Sequence, residues 1–102
     1  MSLHATVPVD ASADVSLRVP RGGTEDLESG VAAVVEGVDG VSAVTVDRVT
    51  SVRPTFTDIR VDADLTVSIA VPADADPETA VADRLADGFG ITSVSDLTVE
   101  AT

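Results

Sequence analysis

Asp58 to Val71 reads Asp-Ile-Arg-Val-Asp-Ala-Asp-Leu-Thr-Val-Ser-Ile-Ala-Val. Ile59, Val61, Ala63, Leu65, Val67, Ile69 and Val71 share one parity, and Arg60, Asp62, Asp64, Thr66 and Ser68 share the other. Successive side chains of a strand point to opposite faces, so this alternation predicts a long strand with one dry face and one wet face. A dry face must be covered by another layer, and the flanking sequence supplies helices to do it.

Downstream, Pro72 to Ala75 reads as a loop. Asp76-Pro77-Glu78 then starts a helix: an N-cap aspartate, proline at the first helical position, an acid in the first turn. Val81, Leu85 and Phe89 form its apolar stripe, Gly88 and Gly90 stop it, and Val94, Leu97 and Val99 mark a closing strand.

Upstream, Val41 to Val52 predicts a strand whose alternation slips, because Val44 and Val46 share a parity that Val49 breaks and Val52 restores. A bulge near Asp47-Arg48 accounts for the slip. Arg53-Pro54-Thr55 carries the turn into the next strand. Asp14 to Val19 predicts another half-buried strand, with Val15, Leu17 and Val19 inward. After Pro20-Arg21-Gly22-Gly23, Thr24 serves as N-cap of a helix with Glu25 and Asp26 in its first turn and Leu27, Val31, Val34, Val35 and Val38 as its stripe. Gly30 weakens that helix by about 1 kcal/mol relative to alanine, and Gly37 or Gly40 ends it. In Met1 to Ser12, Leu3, Ala5, Val7 and Val9 alternate, but Pro8 cannot donate to a ladder. Residues 1–12 are therefore expected to form an N-terminal arm or edge strand, and residues 13–102 a single α+β domain.

The order is β-α-β-β-α-β. With right-handed crossovers it predicts a ferredoxin-like α+β sandwich, a four-stranded antiparallel sheet with two helices on one face and the first and third strands central. Val15, Leu17, Val19, Val61, Leu65, Val67 and Ile69 should pack against Leu27, Val31, Val34, Val81 and Leu85, with Phe56 and Phe89 as the only aromatics of the core.

The 102 residues carry a net charge of −12. All six basic residues are arginine, and lysine is absent. At low salt such a surface repels itself, whereas at ~1 M salt the Debye length falls to about 3 Å and the repulsion is screened. The pattern resembles the cytosolic proteins of halophilic archaea that accumulate potassium chloride, which implies potassium and other solvent cations around the acidic surface. Apolar residues make up 44% of the chain, too many for a disordered tail. With no cysteine, disulfides, thiolate zinc sites and cysteine nucleophiles are excluded. The N-terminal residues lack a basic region followed by an apolar run. No stretch approaches a membrane span. A cytoplasmic protein is expected.

On the helix-free face, Asp14, Ser16 and Arg18 should lie beside Arg60, Asp62, Asp64, Thr66 and Ser68, forming cross-strand Arg–Asp pairs. Arg18, Arg60, Asp62 and Asp64 are the candidate interaction surface. RNA-binding sheets place stacking aromatics on these strands. None is present and the charge is adverse, so nucleic acid is not expected. The Arg21-Gly22-Gly23-Thr24 turn is the candidate ligand site, since glycines let an anion approach the N–H groups of a helix start and Arg21 adds a guanidinium fork. Its position resembles the ligand-binding turn of ACT domains, a resemblance that rests on strand order and a glycine and implies a regulatory small-molecule sensor. Asp62/Asp64 and Asp74/Asp76 show no metal-loop spacing. His4, the sole histidine, has no rigid partner to orient it for catalysis. No catalytic residue, metal or cofactor is expected. The leading expectation is a non-catalytic module binding a protein partner or a second copy of itself, ahead of the sensor and a carboxylate-based enzyme. The Val41–Val71 hairpin is expected to offer an edge for strand pairing.

Overall fold

The computed structural model describes residues 5–20 and 26–100. The elements are β1 (Thr6–Pro20), α1 (Leu27–Glu36), β2 (Val41–Pro54), β3 (Asp58–Pro72), α2 (Pro77–Ala86) and β4 (Ile91–Glu100). The strands form one antiparallel sheet in the order β2-β3-β1-β4, and with the two helices they make an α+β fold. The two strands with the cleanest alternation are the central ones.

β1 and β3 pair over fifteen-residue strands with no register shift, and the molecule is 48 Å long. Their odd-numbered side chains, from Val9 to Val19 and from Val61 to Val71, are buried. In the middle of the ladder large residues face small ones: Leu65 stands opposite Ala13, and Val15 opposite Ala63. α1 lies against β1 and β2, α2 against β3 and β4. Val31 and Val35 of α1 and Val81 and Leu85 of α2 are wholly buried on that odd-numbered face, each contributing about 1.5–3 kcal/mol. Leu27 and Val34 are half-buried at the margin.

α2 starts as its sequence dictates. Asp76 accepts the Thr79 N–H (3.2 Å), and Pro77 follows it. α1 starts two residues later than expected, because Asp26, not Thr24, is the N-cap and accepts the Ser29 N–H at 2.8 Å. Gly30 is there for closeness: a Cβ would lie 2.8 Å from Val19 Cγ1.

Residues 6–12, expected as an arm or edge strand, continue β1. Pro8 breaks no ladder bond to a described residue there. Arg18 donates its N–H toward β4, to Gly90 O at 2.7 Å, and even-numbered residues of an unbulged strand send theirs the same way. The β4 pairing ends at Asp10, so the missing N–H of Pro8 faces no strand among the described residues. Met1 to His4 lie outside the described residues.

Both outer strands are irregular. β2 shifts register between Val46 and Arg48, where the valine parity slips, and again at Val41/Ala43 and Val49/Ser51. β4 bulges opposite Ser12/Asp14, with Asp96 at φ +51. Bulged edges resist further strand addition, which argues against the hairpin edge as a pairing surface. No helix among the described residues is long and apolar enough to cross a membrane.

Candidate functional site

The even-numbered face of the sheet carries no helix, and its polar side chains sort by charge along its length. Arg18 stands directly opposite Arg60 on β3, and Arg60 directly opposite Arg53 on β2. Directly opposed residues share a face, so three of the six arginines form one row at the hairpin end. The next two rows carry the acids, Asp62 between Ser16 and Ser51, then Asp14 and Asp64 with Arg48. Asp62 accepts Ser16 Oγ at 2.6 Å. Asp64 stands opposite Asp14 and accepts Arg48 Nη2 at 3.1 Å. Burial, then Asp64, Asp96 and Asp62, push the Asp14 carboxyl above its ordinary pKa, while Arg48 opposes them.

The expected Arg–Asp pairs of the two central strands are therefore not made. β1 and β3 place like against like, because the register that buries the valines also fixes which polar residues meet. Among the described residues, ion pairs join only Arg48 to Asp64 and Arg84 to Asp39. Arg18, Arg53 and Arg60 have none with a described residue.

The hairpin that brings Arg53 to Arg60 is clamped at its tip. Thr55 N–H donates to Asp58 O (2.8 Å), Asp58 N–H donates to Thr55 Oγ1 (3.1 Å), and Thr55 Oγ1 lies 2.7 Å from Asp58 Oδ1. The turn thus falls at Thr55-Phe56-Thr57 instead of Arg53-Pro54-Thr55, and it holds Phe56 outside, 101% exposed. Phe89, expected in the core, is 96% exposed. It follows the end of α2 and sits between Gly88 and Gly90. Gly90 adopts φ +92 and ties the loop to β1 through the Arg18 N–H.

Two clefts meet at this end. One, of about 440 Å³, is lined by Arg18, Arg53, Arg60, Pro54, Thr55, Thr57 and Asp58. The other, of about 280 Å³, is lined by Pro20, Val34, Phe89 and Gly90. They share Arg18, Thr57 and Asp58.

Of the residues singled out from the sequence, Arg18 and Arg60 come together, while Asp62 and Asp64 lie in the two rows behind them. Arg21, Gly22, Gly23 and Thr24 lie outside the described residues. Sequence reading missed Arg53, although a hairpin centred on Phe56-Thr57 necessarily pairs it with Arg60. It also missed the exposed phenylalanines, for which their flanking residues (Thr55 and Thr57, Gly88 and Gly90) were the available signal. No group of three acids or histidines among the described residues converges as a metal site would require.

The fold and this end define a small α+β domain with a cationic, aromatic tip on an acidic body. No protein family, curated protein or solved structure matches the chain.

Proposed function

We propose that this chain is a ferredoxin-like βαββαβ sandwich that works as a non-catalytic protein-interaction module in a salt-rich cytoplasm, and that it docks its partner with the end carrying Phe56, Phe89 and the arginine row. The observation that carries this reading is the placement of both aromatic residues. A chain with only two phenylalanines leaves both almost wholly in water, forgoing about 1.5–3 kcal/mol of burial for each. Aromatics and arginine are the residue types that dominate binding energy at protein interfaces. Self-association through the sheet edges is the weaker form of the reading, since both edges are bulged.

Site-specific photocross-linking tests it. Benzoylphenylalanine replaces Phe56 or Phe89, with Thr66, in the middle of the open face, as the control position. The expected result is one adduct of defined mass from positions 56 and 89. The trapped protein, produced separately, should bind the unmodified chain at equal stoichiometry and lose that binding with Phe89→Ser. No adduct, or the same adducts from position 66, would overturn the proposal.

A further inference from the structure

The same end also carries the chemistry of its partner, and the assignment rests on the docking role proposed for it. We infer that the two joined clefts take a short acidic segment of a partner protein, with adjacent carboxylates on Arg18, Arg53 and Arg60 and a following apolar side chain against Phe89, Pro20 and Val34.

Charge points to an acidic ligand. The chain carries 18 acidic residues against six arginines, yet three arginines face one another in a single row and none is neutralised within the described chain. Like charges directly opposed across strands repel. A ligand with two or more negative groups would relieve that repulsion. The one carboxylate lining either cleft, Asp58, is held against the Thr55 hydroxyl.

The two clefts also differ in chemistry. One is guanidinium-lined and opens on the bare sheet face. The other is walled by Val34 of α1, Phe89 after α2 and Pro20 at the end of β1. A ligand satisfying both needs carboxylates and an apolar group a few ångströms apart, as neighbouring residues of one peptide have. Concentrated salt screens simple attraction between charges. Bidentate guanidinium–carboxylate hydrogen bonds and apolar contact persist better under those conditions, and arginine and phenylalanine are what the end presents.

A nucleic acid fits less well. Its backbone needs a continuous basic track, and beyond the arginine row the face carries Asp62, Asp64, Asp14 and Asp10.

The test is titration of isotope-labelled full-length chain, followed by amide NMR, in potassium chloride. The probe is a capped hexapeptide of four aspartates followed by two leucines. The same peptide with asparagine for aspartate and an oligothymidylate serve as comparisons. Shifts should concentrate at residues 18–20, 53–60 and 88–91. Arg53→Gln and Arg60→Gln should each weaken binding about tenfold or more while keeping a dispersed spectrum, and the asparagine peptide should not bind.

Absence of binding, equal binding of the asparagine peptide, indifference to both arginine variants, or tighter binding of the oligothymidylate at the same amides would each overturn the inference. If the acidic peptide fails while positions 56 and 89 still trap a partner, the acidic ligand is wrong and the docking end stands. If neither works, both fall.

Discussion

Arg18 and Arg60 face each other directly across the central β1–β3 ladder, and the register that sets them there is the one that buries Leu17 against Val61. Neither arginine can be moved off the other without sliding the apolar face out of the core. The opposition is thus a forced consequence of the dry side of the sheet, retained on the wet side, and Arg53 extends it across β2.

Removing one charge from the row should stabilise the fold. Opposed like charges are unfavourable by about 0.2–1 kcal/mol. Arg60→Gln should therefore raise the melting temperature by up to several degrees at the lowest salt in which the protein is fully folded, since about 1 kcal/mol corresponds to ~4–8 °C in a domain of this size. The gain should shrink in molar salt. Thermal unfolding of both proteins at two salt concentrations reads this directly. A variant less stable than the parent would mean that Arg60 makes a structural contact, and the row would lose its meaning as a site.

Salt should govern the whole molecule as well. Twelve net negative charges sit on a body whose described ion pairs number two. Folding in dilute buffer should be incomplete or weak, and stability should climb with potassium chloride until the Debye length reaches about 3 Å near ~1 M. Circular dichroism during heating at stepped salt concentrations measures it. A salt-independent melting point would contradict the reading of the acidity as an adaptation to concentrated salt.

Most of the architecture was legible because β1 and β3 are written as strict alternations, and only one face of each can be dry. The slip of valine parity in β2 located the bulge at Val46/Arg48. The slip from Val94 to Leu97 carried the same information for β4 and corresponds to the bulge at Asp96. Pro8 misled because the rule against proline in central strands assumes neighbours on both sides along the whole strand. The described pairing with β4 stops at Asp10, short of Pro8. The candidate site was less legible for a different reason. Which polar residues meet across a ladder depends on register and turn length, so Arg18 and Arg60 could be assigned to a face but not to each other. The phenylalanines were assigned to the core on hydrophobicity alone, which says what a side chain prefers and not whether the backbone turns it inward.

Gly30→Ala should destabilise the protein even though alanine is the better helix former. Propensity favours the change by about 1 kcal/mol. The new Cβ would lie 2.8 Å from Val19 Cγ1, and Val19 is a buried β-branched residue with little freedom to rotate away. Overpacking of this kind costs about 1–3 kcal/mol, so the balance is a loss of up to ~2 kcal/mol. In a Val19→Ala background the clash is absent and Gly30→Ala should become neutral or favourable. Denaturant unfolding of the four proteins in the cycle decides it, and additive effects would show that the close approach is not what holds the glycine.

Two carboxyls should respond to pH in opposite directions. The Asp26 N-cap is held below its ordinary pKa by the Ser29 backbone N–H. Its contribution is therefore present above the unfolded pKa and lost as pH falls through the lower folded value. Asp14 is shifted up, first by burial and then by the neighbouring acids. The folded state holds the Asp14 proton more tightly than the unfolded chain, so this group weakens the fold as pH rises from the ordinary carboxylate range through the raised value. At neutral pH Asp26→Ala should lower the melting temperature and Asp14→Asn should raise it, and both differences should fade on acidification. If Asp14→Asn instead destabilises at neutral pH, its carboxylate holds a contact that outweighs the neighbouring acids.

The exposed phenylalanines separate a docking end from a folding element. Phe56→Ser and Phe89→Ser remove side chains that cover nothing, so each should change stability by no more than about 0.5 kcal/mol. Leu85→Ala, at a wholly buried position of α2, should lose about 2–5 kcal/mol. The contrast matters because both phenylalanines are apolar enough to fold inward if the loops allowed it. The Thr55–Asp58 clamp and the Gly90 tie to Arg18 are what prevent it. Equilibrium unfolding of the three variants measures the difference. A large loss for either phenylalanine would place that side chain against the body in solution, and the aromatic half of the docking end would have to be abandoned.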